Sequence, residues 1–344
     1  MSVQKERTHC KQHKFEYKIF FRSWLEAANN EKKTRSSPCC FIQPYELYKE
    51  RNFFCHIKNI RIKPSAGLIF VPYILRDYIE REHIENLLPK HCKTIILYSD
   101  GIIMDEEHCE SLNMVCAFLP QIPNVRVKSF QLPENCTISE TIEYQEIIST
   151  IVNNETSTLN RETCLMLFSN QKGHKTAQRW ASVIQESKEN EIVSVWGGIM
   201  EDVHACDLCK EQKKFESPKT SDCVAILITG PIQTWSMVLN LETNTEDGIE
   251  AELILFKDKV KLKQHSIGFI FISRLRTLLL DFDEEEIFKR LFPTVPLVKC
   301  SSYAEYGKTT AEVNNKRNSK EKRNCKNPWY NEHSIVILIL TYSF

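Results

Sequence analysis

The stretch "SIGFIFISRLRTLLLDFDEEEIFKRLFPTVPLVKCSSYAEYG", Ser266–Gly307, holds the alternation on which the fold class turns. From Ile267 to Ile272 nearly every position is apolar, the pattern of a strand covered on both faces and therefore central in its sheet. Asp283, Glu284, Glu285 and Glu286 then place carboxylates in a helical first turn, where the macrodipole favours anions. Ile287, Phe288, Leu291 and Phe292 give that helix one apolar face, and Pro293 stops it. A proline-bounded turn and a second buried strand follow, delivering Glu305 just before Gly307.

The same alternation extends outward in both directions. "AGLIFV", "KTIILYS", "MVCAFL", "NVRVKSFQL", "TCLMLFS", "EIVSVW", "CVAILITG", "WSMVLNL" and the terminal "HSIVILILTYSF" read as strands. "YILRDYIEREHIENLL", "SETIEYQEIISTIV" and "HKTAQRWASVIQES" read as helices between them. Interleaving of this kind predicts a mixed α/β fold, its β-sheets flanked by helices. No internal sequence repeat is evident. The first 24 residues contain no leucine and carry six Lys/Arg against two Glu, so residues 1–19 are expected to be disordered. Phe21, Trp24 and Leu25 then stand at helical spacing and predict a short amphipathic N-terminal helix.

Composition bounds the function. Lys plus Arg and Asp plus Glu balance at 45 each, so no whole-chain field is available to hold nucleic acid or an anionic membrane. The most apolar run, Ser334–Leu340, is far shorter than the roughly 20 residues that cross a bilayer. Fourteen cysteines in a chain that opens without an apolar signal segment are expected to be reduced thiols of a cytoplasmic or nuclear protein. His204, Cys206, Cys209 and Cys223 have part of the spacing of a Cys3His zinc site but lack a second close pair, so no metal is expected. No nucleophile elbow, phosphate loop, dinucleotide fingerprint or kinase signature occurs, so no catalytic residue or cofactor is assigned.

Three features carry candidate binding roles. Gly197 and Gly198 mark a turn at a strand end, where backbone amides could approach a ligand. Glu305 and Gly307 suggest a carboxylate at the rim of a sheet, as part of a ligand or partner loop. The basic run Asn315–Lys326 includes Lys316, Arg317, Lys322 and Arg323, a candidate nuclear-import signal within a polar loop over 309–327.

Taken in order, "LLPKHCKTIILYSDGII", "AFLPQIPNVRVKSFQL", "SVWGGIMEDV", "SIGFIFISR" and "IFKRLFPTVPLVKCSSYAEYG", closed by an apolar strand, resemble the F-box only protein 22 family from about Phe20 onward. The resemblance implies an F-box end and linker over 20–50, with Phe21, Trp24 and Leu25 toward the adaptor. It further implies a FIST-type domain in two halves, 51–200 and 201–344. Such a protein is expected to be a non-catalytic substrate-recognition subunit of an SCF-type cullin–RING ubiquitin ligase. It would meet a Skp-type adaptor and cullin and capture protein substrates for proteasomal degradation. Two departures stand out: the leucine- and proline-containing opening helices of the F-box have no counterpart, and serine, tyrosine and alanine replace the glycines before Glu305. The alternative expectation is a standalone FIST sensor with a small ligand between its halves.

Overall fold

The computed structural model describes residues 37–44, 62–79, 84, 88, 89, 91–104, 107, 108, 113–155, 162–188, 190–206, 222–280, 282–310 and 329–343. All of them belong to one unit of the chain, Ser36–Phe344. The helix expected around Phe21, Trp24 and Leu25, Cys209, and the import run with Lys316, Arg317, Lys322 and Arg323 lie outside the described residues. Of the helix expected over 73–88, residues 80–83 and 85–87 also lie outside them, while Tyr73–Leu75 form a single 3-10 turn followed by turns rather than a continuous α-helix.

The mixed α/β class expected from the sequence is what forms. The strands and helices fall into three consecutive segments with one shared plan. The first holds β1 (Cys39–Pro44), β2 (Pro64–Pro72), β3 (Lys93–Ser99), β4 (Ile103–Met104), β5 (Glu107–His108) and β6 (Asn113–Pro120). The second holds β7 (Arg126–Gln131), α1 (Ile142–Glu155), β8 (Glu162–Asn170), α2 (His174–Lys188), β9 (Ser194–Met200), β10 (Asp202–Cys206) and β11 (Cys223–Gly230). The third holds β12 (Gln233–Leu239), α3 (Glu246–Lys259), β13 (His265–Ser273), α4 (Arg274–Leu279), α5 (Glu284–Leu291), β14 (Leu297–Ser302), β15 (Glu305–Gly307), β16 (Tyr330–Asn331) and β17 (Ile335–Tyr342).

Each segment contributes a parallel pair, β2/β3, β8/β9 or β13/β14. Its closing strand, β6, β11 or β17, pairs antiparallel with the first strand of that pair and with the segment's opening strand. The short strand after each parallel pair leaves home: β4 pairs with β14, β10 with β3 and β15 with β9. Three mixed sheets result, each completed by a strand from another segment, and the exchange runs in a closed cycle. The two-half boundary expected at 200/201 falls between β9 and β10, inside the second segment.

Strand periodicity explains the layers. Successive side chains point to opposite faces, and one face of every sheet enters a shared interior. Leu68 and Phe70, Met166 and Phe168, and Phe269 and Phe271 meet there from the three sheets. Trp196 lies flat against Phe271 at 4.3 Å and edge-on to Phe168 at 5.6 Å, which ties β9 to β13 across sheets. The opposite faces form separate outer layers. Ile69 and Val71 pack under Leu75, Ile79, Ile84 and Leu88, Leu165 and Leu167 under Trp180 and Ile184 of α2, and Ile270 and Ile272 under α3 and α5. A gap of only about 10 Å³ remains among Leu68, Met166, Phe269 and their neighbours, at the lower limit for a single water.

Apart from the helix expected over 73–88, the sequence-based elements within the described residues reappear with shifted ends, and β13 is central and covered on both faces as its composition demands. Helix α3 escapes that reading. It starts at Thr245, whose Oγ1 accepts from Gly248 N, carries Glu246 and Asp247 in its first turn, and buries Ile249, Leu253 and Phe256.

Candidate functional site

The cyclic exchange forces three turns together. Where β3 passes to β4, β9 to β10 and β14 to β15, the chain reverses within one to three residues, and the reversals hydrogen-bond to each other. Ile199 N donates to Ala304 O and Tyr303 N to Ile199 O, each at 2.8 Å, while Glu201 N donates to Tyr98 O at 3.1 Å. Ser99 Oγ donates to Ser301 O at 2.5 Å.

Over these turns stands Arg274, the first residue of α4. Its guanidinium donates to Asp100 Oδ2 at 2.8 Å and to Tyr303 OH at 3.1 Å, pairs with Glu201 Oε1, and lies 4.8 Å from the Tyr303 ring centre. One arginine from the third segment thus gathers a carboxylate from each of the other two. Alongside, Arg76 Nε donates to Asp202 Oδ2 at 2.8 Å, and its guanidinium lies 6.0 Å from the Tyr73 ring centre. Burial lowers the Arg76 pKa and Asp202 raises it, with a net upward shift. Tyr73, Arg76, Asp202, Glu201, Arg274 and Tyr303 therefore form one connected strip at the carboxyl ends of the parallel strands. No family model matches this chain, and no curated protein does.

The four residues proposed from sequence as a ligand or partner loop are neighbours, but inside the protein. Glu305 pairs with Gly198, Tyr306 with Gly197 and Gly307 with Trp196 across β15 and β9. An added Cβ at Gly307 would lie 2.6 Å from Val336 Cγ1 and one at Gly198 3.1 Å from Ser302 Cβ, so side chains fill the space a ligand would need.

Glu305 is wholly buried. Its Oε1 accepts from Ser302 Oγ at 2.8 Å, and its Oε2 accepts from Ser334 N at 3.1 Å and Ser334 Oγ at 2.8 Å. Burial raises its pKa to about 7, against the lowering effect of the serine donors and Arg276. In the unfolded chain the group returns to its ordinary value of 4.5. The folded state therefore binds more protons between the two values, and stability falls as pH rises from about 4.5 through about 7, by at most about 3 kcal/mol. Glu305→Gln, which mimics the protonated acid with Nε2 donating to Ser302 Oγ, is expected to flatten this part of the curve. Thermal midpoints of both forms between pH 5 and 8 would check it, and parallel curves would refute it.

A second buried polar group holds the outer layer of the third segment. Lys299 Nζ donates to Glu284 Oε2 at 2.8 Å and to Glu285 Oε2, with all three side chains almost wholly buried. Burial opposes the lysine charge, yet the two carboxylates outweigh it and raise the pKa. The acidic first turn of α5 thus serves more than the helix dipole, since two of its carboxylates anchor the helix to β14. Burial also raises the thiols of Cys92 to about 11 and Cys300 to about 12, and moves Cys164 and Cys223 further up. None of these four is a thiolate at neutral pH. Of the zinc-like set, Cys206 sits in the outer layer with Ile96 and Cys223 in that with Trp180, so the described members do not converge.

Sequence reasoning passed over Asp100, Glu201 and Arg274. The available signal was an acidic residue just after each of two strand ends, in "YSDG" and "IMED", with an arginine directly after "FIS".

Proposed function

We propose that this chain is a non-catalytic substrate-recognition subunit of a cullin–RING ubiquitin ligase, whose FIST-type unit captures proteins for proteasomal degradation. The observation that supports a capture role is the end of the unit at which the parallel strands finish. After β2 the chain exposes Ile74 at 63% and Tyr78 at 66%, and after β13 it exposes Leu278 at 81% and Leu279 at 60%, with Leu275 and Tyr303 beside the Arg274 strip. Large apolar and aromatic side chains exposed beside arginines are the composition of protein contact centres. Arg274, Asp100 and Glu201 Oε1 at this end are engaged in holding the three turns together.

The adaptor contact is assigned to Phe21, Trp24 and Leu25 by the resemblance to F-box only protein 22. Co-elution of the full-length chain with a purified Skp-type adaptor and cullin on gel filtration tests this reading. The expected result is one complex that is lost in Trp24→Ala/Leu25→Ala. Separate elution of the unsubstituted chain would overturn it.

A further inference from the structure

We propose that the outward face of α3 is a contact between two copies of this chain, in which the two helices lie antiparallel and meet at Ile254 and Leu255. This does not depend on the receptor reading above. The starting point is the order of residues along the helix. Its first two turns carry Glu246, Asp247, Glu250 and Glu252, and its last turn carries Lys257 and Lys259. Lys261 and Lys263 follow directly, and only Asp258 interrupts the basic end. Between the acidic and the basic half stand two large apolar side chains, Ile254 at 43% and Leu255 at 53% exposed.

The helical period sorts these residues by face. Ile249, Leu253 and Phe256 are buried against the sheet. At 3.6 residues per turn the opposite side presents Asp247, Ala251, Ile254, Leu255 and Asp258, all of them exposed. Glu252 and Lys259 flank that stripe on one side, Glu250 and Lys257 on the other. Glu250 is already bound by Arg290 at 2.9 Å. Glu252 and Lys259 are both exposed and stand about 10 Å apart along the axis, too far to pair within one chain.

A two-fold axis through the middle of the helix turns this separation into complementarity. In an antiparallel pair each flank meets its own counterpart reversed, as an isologous contact requires. Glu252 of one copy then faces Lys259 of the other, and the reverse pair forms on the same side. Ile254 and Leu255 meet their counterparts at the centre, Asp258 lies opposite the small Ala251, and the helix dipoles oppose each other. A uniformly anionic partner, whether a bilayer or an acidic protein segment, would match the basic half and be repelled by the acidic one. The occupant that matches both halves is a second copy. The helix is only about 21 Å long, so the contact lies at the small end of specific interfaces and the dimer is weak.

Sedimentation velocity of the full-length chain over a concentration series tests this. The expected result is a monomer–dimer equilibrium with a Kd in the micromolar range, weakening as salt is raised. Glu252→Lys or Lys259→Glu alone sets like charges opposite each other twice and should raise the Kd at least about tenfold. An equal mixture of the two variants should dimerise again, because two lysines of one copy then face two glutamates of the other. Both positions are exposed, and an unchanged thermal midpoint verifies that each variant is folded. A chain that stays monomeric at every concentration, which would leave this face to a partner of another kind, overturns the proposal. So does a dimer indifferent to both variants, or a mixture that associates no better than either variant alone.

Discussion

Gly197→Ala is expected to leave the chain largely unfolded. The added Cβ would stand 1.8 Å from Leu167 O, 2.7 Å from its carbonyl carbon and 2.9 Å from its N, all backbone atoms of the paired strand β8. Residue 197 also has φ +156°, at the edge of the region that side chains disfavour. Relief would require parting β8 from β9, the central parallel pair of its sheet, and with it the stack of Trp196 on Phe271. The expected loss is above about 4 kcal/mol, comparable to the whole stability of a modest domain. Urea unfolding and the yield of soluble protein would report it. A variant within about 1 kcal/mol of the parent would mean that the close approach is not fixed.

Lys299→Met should cost about 3–5 kcal/mol, because it leaves Glu284 and Glu285 buried opposite an apolar side chain. The loss belongs to the unpaired carboxylates more than to the missing attraction. Lys299→Met combined with Glu284→Leu and Glu285→Leu should therefore recover most of the stability, since an apolar set of similar size removes the desolvation cost. Denaturant midpoints of the single and triple variants distinguish the two terms. A triple variant as weak as the single one would place the energy in the ion pairs themselves.

These two sites also mark how far the sequence could be read. The long strands were legible because both faces of β8, β13 and β17 are covered, which demands unbroken apolar runs. The exchanged strands were not. β4 and β15 span two and three residues, and β10 runs "DVHAC", which carries neither strict alternation nor a hydrophobic run. Their pairing is decided by which sheet edge they reach, a tertiary fact. The threefold plan was equally invisible, because the segments share strand order and layer alternation without sharing residues. At the site, Glu305 looked like a rim carboxylate because a glycine lies two positions on, whereas its neighbours Ser302 and Ser334 receive it inside. Ser334 is 29 positions away in sequence, so local reading has no access to that contact. Asp100 sits in a comparable turn and does reach the surface, where Arg274 meets it.

The cyclic exchange of strands also sets when the protein can fold as it is made. The sheet built on β2 and β3 lacks an edge until β10 has been synthesised, and the sheet built on β8 and β9 waits for β15. The third sheet waits longest, because β17 lies between β12 and β13 and leaves β12 without a partner until residues 335–342 have left the ribosome. Nascent chains therefore carry apolar strand edges until β17 has been made, the condition under which pairing with other chains competes with folding and chaperones are engaged.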